Sequence, residues 1–132
     1  MAHRLSLHPD ATLANDTLKG AAETLRPAVH PIVHSDCGGH YRWPGWIELC
    51  ERYGLARSMS KKSCSPDNAA CEGFFGRLKN EFFYYRDWKG IGFSEFSGRL
   101  CGYIDYYNQE RQKKSSGWRS PDEYRRALGY RV

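Results

Sequence analysis

The sequence predicts an α/β domain, and three observations carry that reading. Apolar residues recur at helical spacing in several stretches, and two short segments of strand character lie among them. The 132-residue chain is 40% hydrophobic and 14% aromatic, enough apolar material to bury a core. No run approaches the ~18 apolar residues of a membrane span, and the start MAHRLSLHPD is too polar for a signal peptide, so a cytoplasmic location with no membrane partner is expected. The five cysteines (Cys37, Cys50, Cys64, Cys71, Cys101) are odd in number and form no C-x-x-C pair, which reads as free thiols.

A first helix is predicted over about residues 10–25, where Ala14, Leu18, Ala21 and Leu25 recur at helical spacing and Pro27 lies beyond the end; Asp10 reads as its cap. Ile32-Val33-His34-Ser35, preceded by Pro31, reads as a strand that stops at Asp36-Cys37-Gly38-Gly39 and so puts an aspartate at its carboxyl end. Pro44 opens a short helix to Tyr53 with Gly54 as its C-cap, and residues 55–59 alternate as a second strand. After a loop holding Lys61 and Lys62, Ser65-Pro66 starts a helix to about Tyr84. Phe93, Phe96, Leu100, Ile104 and Tyr107 mark another amphipathic helix. Ser120-Pro121-Asp122-Glu123 is a capping box that opens a last helix ending at Gly129.

Helical geometry, about 100° per residue, assigns faces to the helix that starts at Ser65. Cys71, Phe74, Phe75, Leu78 and Phe82 fall on one stripe, expected to be buried. Asn68, Glu72, Gly76 and Lys79 line a ridge outside it. Glu72 and Lys79 read simply as surface charges on most helices. Here they are seven positions apart, too far for an i,i+4 pair. Gly76 stands between them at a cost of about 1 kcal/mol relative to alanine, understandable if something bulky approaches that face.

The net charge of +5 is unevenly spread, for seven basic and two acidic residues lie between Arg111 and Arg131 and leave the rest of the chain balanced. A neutral body with a basic end suits a phosphate-contacting surface in which Lys113, Lys114 and Arg119 touch DNA; a solvated basic face without a partner is the plain alternative.

Together these segments resemble a known family. His34-Ser35-Asp36-x-Gly38-x-x-Tyr41, Ser65-Pro66-Asp67-Asn68-Ala69-Ala70-x-Glu72-x-Phe74-Phe75-x-x-Leu78-Lys79, Tyr107-Asn108-x-x-Arg111 and Ser120-Pro121-x-x-Tyr124 resemble the DDE transposases of bacterial insertion sequences, including the 35-residue spacing between Asp36 and Glu72. The resemblance implies an RNase H-like fold, the integrase catalytic core, with a mixed central sheet. It implies three carboxylates holding two magnesium (or manganese) ions for DNA cleavage and strand transfer, with Asp36 and Glu72 as two of them. Lys79 is implied as a phosphate contact, and Asn68, Lys61 and Lys62 as nearby DNA contacts at element ends and target. A homo-oligomer is expected by analogy, since two DNA ends must be paired.

The family's first aspartate lies further ahead of the second than the 35 residues that precede Asp36. The resemblance therefore implies an N-terminally truncated core over residues 1–110 and a basic helical C-terminal extension of the same domain over 111–132, inactive alone. The alternatives are a non-catalytic fragment that binds DNA or a transposase subunit, and a remnant with an incomplete sheet. Other candidates are weaker: His34, on the strand ahead of Asp36, is a minor metal candidate, Cys64, Cys71 and His40 fit no zinc pattern, and Trp43, Trp46, Trp88 and Trp118 read as packing residues.

Overall fold

In the computed structural model, which describes residues 2–8, 10–26, 29–60 and 69–130, helix α1 (Ala11–Ala22) is capped by the Asp10 carboxylate, which accepts from the Leu13 N–H at 2.7 Å. Strand β1 (Ile32–Ser35), helix α2 (Pro44–Arg52) and strand β2 (Ala56–Met59) follow as a βαβ unit. The strands are parallel, with Ile32 opposite Ala56, His34 opposite Ser58 and Ser35 opposite Met59. Among the described residues these two strands are the whole sheet. Proline at the start and glycine past the end frame α2, as read from the sequence. Gly54 has φ +62°, and a Cβ there would come within 2.6 Å of the His30 ring, so the turn needs glycine on both counts.

Leu18, Ala22, Trp46, Cys50 and Leu55 form the buried core of this part, with Val33 and Tyr41 packed against it. Ala22 rather than Ala21 closes the α1 stripe, because the helix ends there instead of running on to Leu25. No disulfide joins the described cysteines Cys37, Cys50, Cys71 and Cys101.

Helix α3 (Ala69–Leu78) corrects the expected buried stripe. None of its residues is buried: Cys71 is exposed and Phe75 is 50% exposed. Periodicity identifies an apolar stripe but cannot supply the surface that covers it. From Lys79 to Phe83 the helix widens into a π turn, closed by the Tyr84 N–H on the Lys79 carbonyl at 2.8 Å. The uniform 100° step that places Lys79 on the ridge of Glu72 thus holds only as far as Leu78.

The chain divides into two compact units, Ala2–Gly76 and Arg77–Val132. The second is built on helix α4 (Phe93–Gln109), which buries Leu100, Tyr103, Ile104 and Tyr107. Phe82, 1% exposed, lies 5.0 Å from Trp88, 5.8 Å from Phe96 and 5.5 Å from Tyr103, ring centre to ring centre. Helix α5 (Pro121–Ala127) opens with the expected capping box: the Ser120 N–H donates to Glu123 Oε2 at 2.8 Å and the Glu123 N–H to Ser120 Oγ at 3.3 Å. Within the second unit α5 packs on α4 and Arg111 bonds Glu81. No described helix is long and apolar enough to cross a membrane.

Candidate carboxylate site and nucleic-acid interface

Asp36 stands one residue past β1, where its exposed side chain turns back so that Oδ1 accepts from the Gly38 N–H at 2.7 Å. A Cβ on Gly38 would lie 2.8 Å from that oxygen and 3.3 Å from the Tyr41 ring, so the aspartate turn closes only around glycine. Tyr41 is the other wall, fixed by an edge-on contact with Trp46 at 4.8 Å. The Asp36-x-Gly38-x-x-Tyr41 pattern is therefore one packed unit. His34 is engaged elsewhere, its Nδ1 hydrogen-bonded to Ser58 Oγ at 3.0 Å across the strand pair.

Burial holds the Tyr41 hydroxyl above its ordinary pKa, and the charges of Asp36 and Cys71 push it the same way. The turn that carries Asp36 and the first turn of α3 thus act on one side chain. Glu72 follows Cys71 on α3 and is exposed. A Cβ on Gly76, one turn further, would meet nothing within 4 Å among the described residues, so none of these requires glycine there. Lys79 is exposed at the start of the π turn. Lys61, Lys62 and Asn68, with Cys64 of the zinc alternative, lie outside the described residues. Among the described residues no group of three His, Cys, Asp or Glu gathers as a metal cage.

The basic segment is a closed turn. Lys113 and Arg119 pair as an antiparallel bridge, around a 3-10 turn over Lys114–Ser116. Lys114 and Arg119 are exposed, while Lys113 is half-buried with its ammonium 5.6 Å from the centre of the Tyr107 ring.

Arg111, counted in the basic excess, is already committed. Its Nε and Nη2 donate to the Glu81 carboxylate at 2.9 and 2.6 Å, and the Tyr103 hydroxyl donates to the same group at 3.0 Å. The Arg111 hydrogen bonds hold the Glu81 pKa below its ordinary value, against an opposing effect of burial, and the Tyr103 bond adds to the lowering. Sequence reading missed Glu81 because its partners lie 22 and 30 positions away. The aromatic expectation divides: Trp46 is buried and Trp88 stacks with Phe83, but Trp43 is 50% and Trp118 64% exposed.

Residues 72–127 match the integrase core domain family. Over 129 residues, 98% of this chain, it is 54% identical to a probable transposase for insertion sequence element IS1353 of Shigella flexneri. Over nearly its whole length it is similar to insertion-sequence transposases. A second relative, the putative transposase InsK for insertion sequence element IS150 of Escherichia coli (strain K12), is 36% identical over 95% of the chain, and the transposase InsF for insertion sequence IS3A of the same organism is 33% identical over 86%. The chain spans 25%, 44% and 39% of the length of these three transposases. No solved structure matches it. The integrase core domain match begins at Glu72 and takes in the π turn, α4 and the basic turn.

Proposed function

We propose that this chain is part of a transposase catalytic domain, with an RNase H-like core, that serves DNA strand cleavage and strand transfer. Asp36 and Glu72 are two of three carboxylates that hold divalent ions, Mg2+ or Mn2+. The observations that support this most directly are the match of residues 72–127 to the integrase core domain and the near full-length likeness to transposases for insertion sequences. The donors suit the ions: both carboxylates are exposed hard oxygen ligands, and Asp36 spends one oxygen on the Gly38 N–H. When bound, two such ions neutralise charge on the attacking and leaving oxygens of a phosphodiester.

The chain's own residues do the positioning. Gly38 and Tyr41 fix the Asp36 turn; Lys79, Asn68, Lys61 and Lys62 contact DNA phosphate, and Lys113, Lys114 and Arg119 hold phosphate at the closed turn. Arg111 belongs to the packing instead. The bare face at Gly76 leaves room for DNA to approach α3. The chain works as a multimer that pairs DNA ends.

A Mn2+ titration followed by electron paramagnetic resonance tests the carboxylates. Asp36→Asn and Glu72→Gln are each expected to weaken binding at least about 10-fold, the size typical of losing a metal-site contact; unchanged affinity in both would sink the assignment. The exposed Ile32 (70%) and Phe75 (50%) favour a second reading, a non-catalytic fragment that binds a transposase subunit. In that case the chain associates with the subunit whether or not Asp36 and Glu72 are intact, and binds no Mn2+.

A further inference from the structure

The turn between α4 and α5 displays a group that none of the roles above uses. Trp118 is 64% exposed, and its indole makes no ring contact among the described residues. Its φ is +59°, and it is the single non-glycine residue with positive φ among those described. A bulky side chain adopts that conformation only where its surroundings impose it. Here the turn does so: the Trp118 N–H donates to the Lys113 carbonyl at 2.9 Å, the Lys113 N–H to the Arg119 carbonyl at 3.2 Å, and the Gly117 N–H to the Lys114 carbonyl at 3.1 Å. Gly117, at φ +65°, supplies the preceding left-handed step.

A flat apolar plate is thus fixed outward on a turn that Lys113, Lys114 and Arg119 make cationic. An apolar protein surface would cover the indole but strip water from the cations. A paired duplex would use the cations and leave the indole idle. An unpaired base with its flanking phosphates uses both, because every base has a π face and every linkage an anion. We propose that Trp118 stacks on an unpaired DNA base while Lys114 and Arg119 hold the adjacent phosphates. This rests on the DNA-binding reading above and adds a preference for unpaired strand to it.

The test is fluorescence anisotropy of the 132-residue chain on two DNAs that share one paired sequence, a duplex with a short single-stranded overhang and a blunt-ended duplex without unpaired bases. Trp118→Ala is expected to weaken binding to the overhang DNA by roughly 5- to 150-fold, the size of one base–aromatic stack. Binding to the blunt duplex and the salt dependence should stay unchanged, and Trp118→Phe should restore most of the loss. Lys114→Gln with Arg119→Gln should weaken both DNAs and flatten the salt dependence, by about 0.9 in log–log slope per lost duplex phosphate contact. An unchanged slope overturns the DNA surface itself. With the slope effect present, an equal loss on both DNAs in Trp118→Ala, no loss on the overhang, or loss of self-association in place of overhang binding overturns the stacking role alone.

Discussion

In the Ala2–Gly76 unit the carboxylates of interest are exposed, and Asp36 commits only one oxygen, to a backbone N–H two residues on. In the Arg77–Val132 unit Glu81 is saturated, bound by Arg111 through two nitrogens and by Tyr103 through its hydroxyl. The difference follows from what each carboxylate is built against. Around Asp36 stand a glycine and a tyrosine ring, which shape a turn without neutralising its charge. Around Glu81 an arginine and a phenol do both. A carboxylate available to a cation and one used as mortar between helices are distinguished here by their partners, since both kinds are acidic residues in apolar company.

The largest effect should come from the packing side of this contrast. Phe82→Ala removes a side chain that is 1% exposed and ringed by Trp88, Phe96 and Tyr103. A loss of about 3–5 kcal/mol is expected, read by urea denaturation followed in the near-ultraviolet circular dichroism. A loss below about 1 kcal/mol would mean that the aromatic cluster does not hold the unit.

Gly38→Ala sharpens the other side. The glycine's φ is −55°, open to any residue, so the cost is steric: the new methyl meets Asp36 Oδ1 at 2.8 Å and the Tyr41 ring at 3.3 Å. About 1–3 kcal/mol of stability should be lost, as for other overpacked sites, together with Mn2+ affinity as the carboxylate is displaced. Full Mn2+ affinity in a destabilised variant would separate the turn from the metal site.

Glu81→Gln converts the saturated carboxylate into a neutral amide and should cost about 1 kcal/mol, a modest figure because the pair is partly exposed. Its pH signature is more specific. Glu81 has a folded-state pKa below the ordinary value of 4.5, so its stabilisation is present above that value and lost as pH falls through the folded pKa. The parent chain should therefore lose more stability on acidification below about pH 4.5 than Glu81→Gln does. Parallel acid titrations of the two would remove the Arg111–Glu81 pair from the account.

These contrasts also mark what the sequence could carry. Signals that act over three or four residues were legible: the Asp10 cap, proline before and glycine after α2, and the Ser120–Glu123 box all form as read. The two strands were legible because each is a short run bounded by turn residues. The π turn was not, since nothing local in Lys79–Phe83 calls for an i→i+5 bond. The widening accompanies Phe82 in the aromatic cluster and Glu81 on Tyr103 and Arg111, partners that the fold supplies from α4 and beyond. The stripe read on this helix held at Phe82, buried in the aromatic cluster, but not at Cys71 and Phe75, where a true periodicity lacks a covering surface among the described residues. At the candidate site, motif spacing brought out Asp36, Gly38 and Tyr41 as a group, but the reason for the glycine appears only when the Cβ position is measured.

The smallest effect is the most informative about the face of α3. Gly76 lies inside the helix with nothing among the described residues within 4 Å of a Cβ, so alanine should fit without displacement. Helix propensity alone then predicts that Gly76→Ala stabilises the chain, by about 0.5–1 kcal/mol. If the bare face exists to let DNA approach beside Glu72, the same methyl should weaken DNA binding while Mn2+ affinity stays unchanged. A gain in stability with DNA affinity intact would make Gly76 a tolerated helix defect and leave the ridge without a reason for its gap. No gain in stability would show that the glycine meets a demand in the folded chain itself, and would move the argument from the DNA to the packing of α3.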